Sequence, residues 1–312
     1  MGIYDRICSA LSDIVVITIV LLCTGLSIAY YTYTSIIGIW FTKDAHISYD
    51  FFMNYFIQIV SKDNFFMNYG YWNSSNKTLL DANQALINLI LEKSGLLGTT
   101  QQSVLDVGCG YGEQEFVWNR KMDPSTRITA IDISETQIQA AKRKCAELGL
   151  SQRITFEVGD AMKLESQFKD VSFNTVLSVE SAFHYADRNQ FFRSVNSLLD
   201  TSGTFVICDI VLQEDFKAGL INSLFLRVFS DFLHIPKANL LKPSEWDQSI
   251  QRAGFTIVEC LDITDKTFNP YYQYFFNTYM KERGIPGVVG SILCSFFTSV
   301  QPFSYRLAVC KK

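Results

Sequence analysis

The sequence predicts an α/β domain with a mainly parallel sheet covered by helices on both faces, preceded by a membrane-anchoring helix. Three observations lead to this fold class. Strand-like and helix-like segments alternate from residue 103 to residue 310. The run VLDVGCGYG, Val104–Gly112, joins the first of these strands to a glycine-rich turn. Near the amino terminus, Ile14–Thr42 carries no charged side chain.

Composition excludes several classes of function. The chain has 312 residues and a net charge of -4, and its Lys and Arg residues are scattered rather than clustered. Such a surface offers no electrostatic footprint for nucleic acid, so we expect no DNA or RNA partner. The eight cysteines form no CxxC pair and have no histidines at metal-ligand spacing. We therefore expect reduced, mostly buried thiols and no metal site. The sequence predicts no particular oligomeric state.

The uncharged segment Ile14–Thr42 is long enough to span a bilayer. As a helix it would reach about 43 Å, against a hydrocarbon thickness of about 30 Å. Aromatic side chains that favour the headgroup region gather at its carboxyl-terminal end: Tyr30, Tyr31, Tyr33 and Trp40. We interpret residues 1–43 as a single-pass membrane anchor. A buried core helix and a cleaved signal peptide are the alternatives.

Residues 44–98 form an aromatic and helical extension that precedes the main domain, residues 99–312. It contains the segment FFMNYGYW, Phe65–Trp72, and a helix predicted over Ser74–Glu92 from the helical spacing of its apolar residues. Gly95 and Gly98 follow this helix and end it.

The main domain contains seven strand-like segments and four helical ones. The predicted strands are Ser103–Val107, Ile128–Ile131, Ile154–Val158, Thr175–Val179, Thr204–Val211, Phe255–Leu261 and Ser304–Cys310. The predicted helices are Glu113–Arg120, Glu135–Leu148, Arg188–Leu199, and one that begins at Lys242 and ends near Gly254. Ser134 is expected to cap the second helix, with Gln137 completing a capping box.

Two further segments need separate interpretation. An insertion, residues 213–241, separates strands five and six and carries apolar residues at helical spacing. It is interpreted as core packing, as a lid over a lipophilic substrate, or as a surface that dips into the membrane. Gly284–Phe303 is uncharged, but prolines, glycines and serines interrupt it, so we assign it to the domain rather than to a second span.

The glycine turn, Gly108–Gly112, predicts a bound small polar ligand. Glycines at alternate positions allow positive φ and a close approach of the backbone, and the following helix offers free N–H groups. Asp106 precedes the turn. Asp132 ends the second strand, about twenty residues further on, where a carboxylate can accept both hydroxyls of a ribose. Nicotinamide-dependent dehydrogenases share these features, so they do not identify the ligand by themselves.

A third acidic turn separates these possibilities. Gly159, Asp160 and Ala161 end the third strand, a feature that no nicotinamide site needs, and VESAFHYADR, Val179–Arg188, follows the fourth. Together, residues 100–210 resemble the class I S-adenosylmethionine-dependent methyltransferases. Phe65–Trp72 and Val179–Arg188 also resemble segments of the tocopherol, sterol and phthiotriol-type methyltransferases. Asn174, where the family has aspartate, and the turn LDTSG, where it has LKPGG, depart from the family pattern and leave the subgroup open.

The resemblance implies a Rossmann-like methyltransferase fold, whose seventh strand inserts antiparallel between its neighbours, and S-adenosylmethionine as cofactor. It also implies that Gly108 and Gly110 approach the methionine part. Asp132 would bind the ribose and Ile133 would pack on the adenine. The candidate cofactor-binding residues are Tyr69, Tyr71, Trp72, Asp106, Gly108, Gly110, Asp132, Ile133, Gln137, Asp160 and Ala161.

These candidates have different expected roles. Asp160 would accept from the adenine amino group, while the Ala161 N–H meets a ring nitrogen. Asp106 would orient the glycine turn and receive the methionine ammonium through water, or simply cap the turn. The aromatic residues Tyr69, Tyr71 and Trp72 would close over the cofactor, where ring faces stabilise a sulfonium, or would belong to the core.

Three residues after the fourth strand are candidates for catalysis. His184 has an ordinary pKa of about 6.5 and could accept a proton from a hydroxyl nucleophile. A structural histidine that bonds the backbone is the alternative. Glu180 and Tyr185 are weaker candidates for substrate contact or charge stabilisation.

We therefore expect a methyltransferase that acts on an oxygen or carbon of a small lipophilic substrate, such as a lipid, polyketide, isoprenoid or sterol-like molecule, at a membrane. Methylation of the nitrogen of a soluble metabolite, a non-catalytic cofactor-binding scaffold and a nicotinamide-dependent dehydrogenase are the alternatives. Arg6 and Lys43 nearly cancel in the positive-inside count. Because S-adenosylmethionine is cytosolic, we expect the catalytic domain to face the cytosol.

Overall fold

The computed structural model describes residues 65–217, 219–282, 292, 295, 298–299 and 301–312. The predicted anchor, Ile14–Thr42, and most of Gly284–Phe303 lie outside these residues. Within the described ranges, no helix combines the length and the apolar character that crossing a membrane requires.

A seven-stranded sheet forms the centre of the domain, in the order β3-β2-β1-β4-β5-β7-β6. Its strands are β1 Ser103–Val107, β2 Arg127–Asp132, β3 Ile154–Val158, β4 Phe173–Val179, β5 Leu199–Leu212, β6 Thr256–Asp262 and β7 Phe303–Lys311. Strands β1 to β5 are parallel, and β7 pairs antiparallel with β5 and β6. The predicted mainly parallel sheet and the antiparallel seventh strand are confirmed.

Helices flank this sheet. They are α1 Leu79–Ser94, α2 Glu113–Asn119, α3 Glu135–Glu147, α4 Leu164–Gln167, α5 Arg188–Leu198, α6 Leu220–Phe232, α7 Pro243–Arg252 and α8 Phe268–Glu282. Helix α1 begins five residues later than predicted, because Thr78 caps it in a capping box with Asp81. Helix α8 was not predicted, since aromatic residues occupy seven of its 15 positions in adjacent runs that hide the helical period.

Two hydrophobic cores lie on opposite faces of the sheet. Successive strand residues point to opposite faces, so Val206 packs in the core that contains α1, and Phe205 in the core that contains α5. A sheet covered on both faces explains why its strands are apolar almost without interruption. Because Leu86 and Ile90 of α1 belong to the first core, the extension and the main domain share one packed interior.

The strand order places the candidate site. From β1 the chain proceeds outward through β2 and β3, then returns to β4 on the other side of β1. The crevice outside the carboxyl ends of β1 and β4 is therefore the topological switch point, where open α/β sheets bind their ligands. The glycine turn follows β1, and the loop Glu180–Asp187, which we call the β4 loop, follows β4.

The insertion, residues 213–241, contains the predicted helix as α6 and a 3-10 turn at Lys237–Asn239. Phe229 of α6 is buried, whereas Leu224 is exposed. The two possible roles beyond packing, as a lid or as a membrane-facing surface, remain predictions. The cysteines in the described part of the chain are free thiols, as expected, and four of the five, Cys109, Cys145, Cys208 and Cys310, are buried.

Candidate active site

The three glycines of the glycine turn, Gly108, Gly110 and Gly112, all have positive φ. Their surroundings differ. A Cβ at Gly108 would lie 2.3 Å from the Ser181 Cβ atom, and one at Gly112 would lie 2.6 Å from the ring of Phe156. Close contacts within the protein therefore exclude side chains at Gly108 and Gly112. The N–H of Gly108 donates to a carbonyl of β2, that of Ile131. Its predicted role towards the cofactor stays a prediction.

Gly110 has a different environment. A Cβ there would lie 3.3 Å from Met67 Sδ and 3.5 Å from Gln137 Oε1. The N–H of Gly110 donates to Asp132 Oδ2 at 3.0 Å. Of the predicted cofactor contacts, the structure thus brings Gly110, Gln137 and Asp132 together.

Asp132 links the end of β2 to the two elements beside it. While Oδ2 accepts from Gly110, Oδ1 accepts from the N–H of Ser134 at 2.9 Å. Ser134 caps α3, as predicted, by accepting from the N–H of Gln137 at 3.3 Å. A carboxylate provides about four lone-pair sites, so a carboxylate at this position can accept from ribose hydroxyls as well as from the backbone.

The third acidic turn lies beside Asp132, because the N–H of Gly159 donates to the Asp132 carbonyl at 2.9 Å. Asp160 Oδ1 caps the short 3-10 helix that follows by accepting from the N–H of Met162 at 2.8 Å. Ala161 is buried, whereas the side chain of Ile133 is 49% exposed. The four residues predicted to surround the adenosine therefore lie on neighbouring strand ends.

Asp106 is fully buried beneath the glycine turn. Its Oδ2 accepts from the side-chain amide of Gln114, in the first turn of α2. The Glu115 carboxyl faces Asp106, and burial raises the pKa of Glu115 well above its usual value and that of Asp106 to about 6. Two ionised carboxylates cannot bond each other, so this contact requires a shared proton. Asp106 Oδ1 accepts no other bond from the described residues.

Glu180 begins the β4 loop in a left-handed conformation, with φ of 49°. Its Oε1 accepts from the Tyr69 N–H at 2.8 Å and from the Tyr305 hydroxyl. Burial raises the pKa of Glu180 to about 8, so this carboxyl is mainly protonated at neutral pH. Non-glycine residues with positive φ cluster at functional sites, which supports the candidacy of Glu180.

The Tyr185 hydroxyl is used within the protein. It donates to Ser181 Oγ, 2.9 Å away, and lies 3.2 Å from the Val107 carbonyl. The Tyr185 ring packs edge-on against Phe191, with 4.8 Å between centroids. Burial raises the pKa of Tyr185. These contacts hold the β4 loop against the end of β1 and favour a structural role for Tyr185 over substrate contact.

His184 is half-buried and packs against the Phe183 ring, with centroids 4.0 Å apart. Its Nδ1 lies 3.4 Å from the carbonyl oxygen of His234, in the insertion. A carbonyl can only accept, so Nδ1 carries the proton in this contact and Nε2 retains a lone pair. Loss of solvation lowers the pKa of His184 to about 4 and keeps its imidazole neutral.

The aromatic residues of the extension lie on the α8 side of the site. Tyr69 packs edge-on against Phe268 and Tyr271, with centroids 4.9 and 4.8 Å apart. The Trp72 indole is buried and donates to the Tyr69 carbonyl at 2.9 Å. The Tyr71 N–H donates to a carbonyl of α1. These contacts account for Tyr69 and Trp72 as packed core residues, and any contact they make with the cofactor stays a prediction.

Other members of the same segment contact the glycine turn. The Phe65 ring lies 5.3 Å from the Tyr111 ring, and Met67 lies beside Gly110. These two residues, Phe65 and Met67, were not predicted as site residues, and the predicted closure of Tyr69, Tyr71 and Trp72 over the cofactor stays a prediction. Gln114, Glu115 and Tyr305 were missed as well. Only the polar pair QE in the first turn of α2 gave a signal, because such a pair is unusual on a buried helix face.

Comparison with known proteins identifies the family. Residues 99–254 match the family described as "Methyltransferase domain". Erythromycin 3''-O-methyltransferase of Saccharopolyspora erythraea is 30% identical over 220 residues, which cover 70% of each chain. O-methyltransferase resE of Aspergillus sclerotiorum is 26% identical over 238 residues, 75% of this chain and 84% of the relative. Mycolic acid cyclopropane synthase CmaA1, solved with SAH and CTAB, has a TM-score of 0.68 at 16% identity, with 83% of this chain and 94% of that chain covered.

The chain therefore belongs to the methyltransferase domain family and has the Rossmann-like methyltransferase fold. It is a class I S-adenosylmethionine-dependent methyltransferase. This confirms the predicted superfamily, enzyme class and cofactor, and it excludes the nicotinamide-dependent alternative.

Proposed function

We propose that this enzyme methylates an oxygen or carbon atom of a small lipophilic molecule and that His184 accepts the proton from the acceptor. One observation carries the proposal. The β4 loop, which contains Glu180 and His184, is bonded to the end of β1, where the glycine turn begins: Ser181 Oγ donates to the Val107 carbonyl at 2.9 Å, and the Tyr185 hydroxyl lies 3.2 Å from the same oxygen. The acceptor and the methyl donor would therefore meet at the switch point between β1 and β4.

The residues around the glycine turn fit S-adenosylmethionine. The Asp132 carboxylate suits the ribose, and the exposed Ile133 suits the face of a purine. Asp106 is buried beneath the glycine turn, where it would orient the turn and receive the methionine ammonium through water. When bound, S-adenosylmethionine supplies a methyl group activated by the positive charge on sulfur, which transfers in line to a nucleophile.

The neutral imidazole of His184 suits a general base. Nδ1 is occupied by the His234 carbonyl, so Nε2 is the nitrogen that would accept a hydroxyl proton. With a pKa near 4, His184 is a weak base and would take the proton only as the new bond to the acceptor oxygen forms. Protonated Glu180 would donate a hydrogen bond to the acceptor, or hold the loop.

The surroundings support a lipophilic acceptor. Glu180 lies among Tyr69, Tyr305 and Tyr271 on the side of the site formed by α8 and β7. Pockets for small molecules are mainly lined by hydrophobic and aromatic groups, with a few polar groups that orient the ligand. Several relatives are named as O-methyltransferases, which favours oxygen as the acceptor atom.

We also propose that Ile14–Thr42 anchors the enzyme in a membrane with the catalytic domain on the cytosolic side. An anchor would keep the site close to a poorly soluble acceptor. Protease protection in sealed vesicles tests this topology. Digestion of the catalytic domain from the cytosolic face is expected. Full protection would reverse this topology, and so would glycans at either of two glycosylation sequons, Asn73-Ser74-Ser75 and Asn76-Lys77-Thr78.

The substrate class is tested by incubating membranes that contain the full chain with methyl-labelled S-adenosylmethionine and a lipid extract. Label is expected in organic-soluble products as a methyl ether or a C-methyl group. Label found only on water-soluble amines would support N-methylation of a soluble metabolite instead. Binding of the cofactor without transfer to either fraction would support the scaffold alternative.

A further inference from the structure

The side chain of Asn239 holds the backbone on both sides of His184. Its Nδ2 donates to the Phe183 carbonyl at 3.0 Å and to the Tyr185 carbonyl at 2.6 Å. Both donors of the amide are used in this way. Asn239 is 2% exposed, so water does not compete for these carbonyls. The peptide groups that flank His184 thus have one common partner.

Asn239 is itself fixed from behind by a buried ion pair. Arg188, 1% exposed, donates Nη2 to the Asn239 carbonyl and Nη1 to Asp209 Oδ2, the latter at 2.6 Å. The Trp246 indole N–H donates to the same Asp209 oxygen at 2.9 Å. Burying two charges costs much of what their attraction returns, so such a pair contributes little net stability. What it does provide is a fixed position for Asn239 relative to β5 and α7.

The imidazole of His184 has its own contact with the same part of the chain. The carbonyl of His234, which contacts His184 Nδ1, precedes Asn239 by five residues. His234 has φ of 50°, and the Ile235 N–H donates to the Ser230 carbonyl at 2.8 Å, which closes the end of α6. The insertion therefore holds the β4 loop at two places. Asn239 bonds the loop backbone, and the His234 carbonyl contacts the imidazole of His184.

We infer that Asn239 is a positioning residue for the methyl-transfer step: it holds the β4 loop so that His184 keeps Nδ1 on the His234 carbonyl and directs Nε2 to the acceptor. The inference rests on the proposed base role of His184. It gives the carboxyl-terminal part of the insertion a catalytic purpose in addition to covering the core. Asn239 touches neither cofactor nor acceptor and acts only through the loop.

Histidine NMR tests this inference without knowledge of the acceptor. The chain has three histidines, His46, His184 and His234, so selective ¹⁵N labelling gives three pairs of imidazole signals, Nδ1 and Nε2, that single His→Gln variants assign. In the wild-type full chain we expect a single Nδ1–H tautomer for His184. In Asn239→Asp, which keeps the shape but loses both donors, we expect an exchange-averaged mixture of tautomers.

Asn174→Asp is the matched control. Asn174 also makes two amide bonds, accepting from the Ser103 N–H at 2.8 Å and donating to Asp200 at 2.7 Å, but it lies at the opposite end of β4. We expect its His184 signal to match the wild type. An unchanged His184 signal in Asn239→Asp, or an equal change in Asn174→Asp, would overturn the inference. If Asn239→Asp fails to fold, Asn239→Ser replaces it.

Kinetics with an acceptor found in the labelled extract separate this inference from the proposed function. Asn239→Asp should lower kcat on the order of 10- to 100-fold, with KM for S-adenosylmethionine unchanged. In a His184→Gln background the same substitution should have no further effect. An equal loss in both backgrounds would contradict action through His184. Full activity of His184→Gln alone would refute the base role, while the NMR result would still report whether Asn239 fixes the loop.

Discussion

The two sides of the switch point are built by different kinds of contact. On the cofactor side, Asp132 is bonded to Gly110 and Ser134, which are 22 and 2 residues away, at the ends of adjacent strands. On the acceptor side, Glu180 is bonded to Tyr69 and Tyr305, which are 111 and 125 residues away. The cofactor side is therefore a local property of the β1–β2 unit, whereas the acceptor side exists only in the complete fold.

This difference has a functional consequence. The cofactor side is built by short-range contacts, so it can be retained while the distant segments around it change. The acceptor side can then be rebuilt from the extension, the insertion and α8 without loss of the cofactor. Variants on the two sides should accordingly separate cofactor binding from turnover.

His184→Gln should have the largest effect. Removing a general base lowers kcat by about 10²- to 10⁴-fold, because the acceptor proton then has no positioned recipient. Binding of S-adenosylmethionine, measured by calorimetry, should be unchanged, since His184 lies on the acceptor side. Turnover equal to the wild type would remove His184 from the mechanism.

Asp132→Ala should mainly affect the other side. Loss of two charge-assisted hydrogen bonds is expected to weaken cofactor affinity by about 100-fold or more in calorimetry. Asp123→Asn is the control, because Asp123 also accepts from a backbone N–H two residues on, at 2.8 Å from Ser125, but in an exposed turn. Its affinity should match the wild type. Equal loss in both variants would mean that the effect is structural.

Gly108→Ala should destabilise the fold where the two sides meet. A methyl group there would press on Ser181 of the β4 loop, so the cost of overpacking adds to the strain of positive φ. We expect about 2–3 kcal/mol from denaturant unfolding. Gly149→Ala, with φ of 67° and nothing within 4 Å of the new methyl, should cost only about 1 kcal/mol. If both variants lose a similar amount of unfolding free energy, the β4 loop moves away from the new methyl group at little cost.

Glu180→Gln should change the pH dependence of stability. Because its pKa is raised to about 8 in the folded state, native Glu180 holds its proton between about pH 4.5 and pH 8 while the unfolded chain releases it. This contribution is therefore full at low pH and is lost as pH rises to 8. Gln imitates the protonated form and should remove this decline, which is on the order of 4 kcal/mol between pH 5 and pH 8 at about 1.4 kcal/mol for each pH unit. The free energy of unfolding, measured from pH 5 to 9, checks this.

The control for that series is Glu147→Gln, at an exposed position near the end of α3. It should follow the wild-type curve. If Glu180→Gln also retains the full decline, the decline does not come from Glu180. The Glu180 carboxyl of the wild-type protein would then be ionised in the folded state, contrary to its raised pKa.

The difference between short-range contacts on the cofactor side and long-range contacts on the acceptor side also explains which residues could be predicted from the sequence. The strands, the glycine turn, Asp132 and the Ser134 cap depend on local patterns and were predicted from them. The largest shift is in β5, which begins five residues earlier than predicted because the LDTSG segment, Leu199–Gly203, belongs to the strand. Helix α8 was missed because Tyr and Phe residues stand next to each other in its sequence and hide the helical period. Asn239 and Tyr305 carry no local signal, since an asparagine before a turn and a tyrosine in a strand are both ordinary. Only the folded chain brings them to the β4 loop.

The sequence alone also did not show that Asn174 and the LDTSG segment contact each other. Both depart from the family pattern, and in the structure they compensate each other, because Asn174 Nδ2 donates to Asp200 Oδ2 at 2.7 Å. The two changes lie at the amino end of β4, away from the candidate site. They therefore carry no information about the acceptor.

A crystal structure of the full chain with S-adenosylhomocysteine tests the central claim most directly. We expect both ribose hydroxyls within hydrogen-bonding distance of Asp132, the adenine between Ile133 and Ala161, and the sulfur directed towards the β4 loop that presents His184. A nucleoside bound elsewhere, or a sulfur directed away from that loop, would contradict the division of the switch point into a cofactor side and an acceptor side.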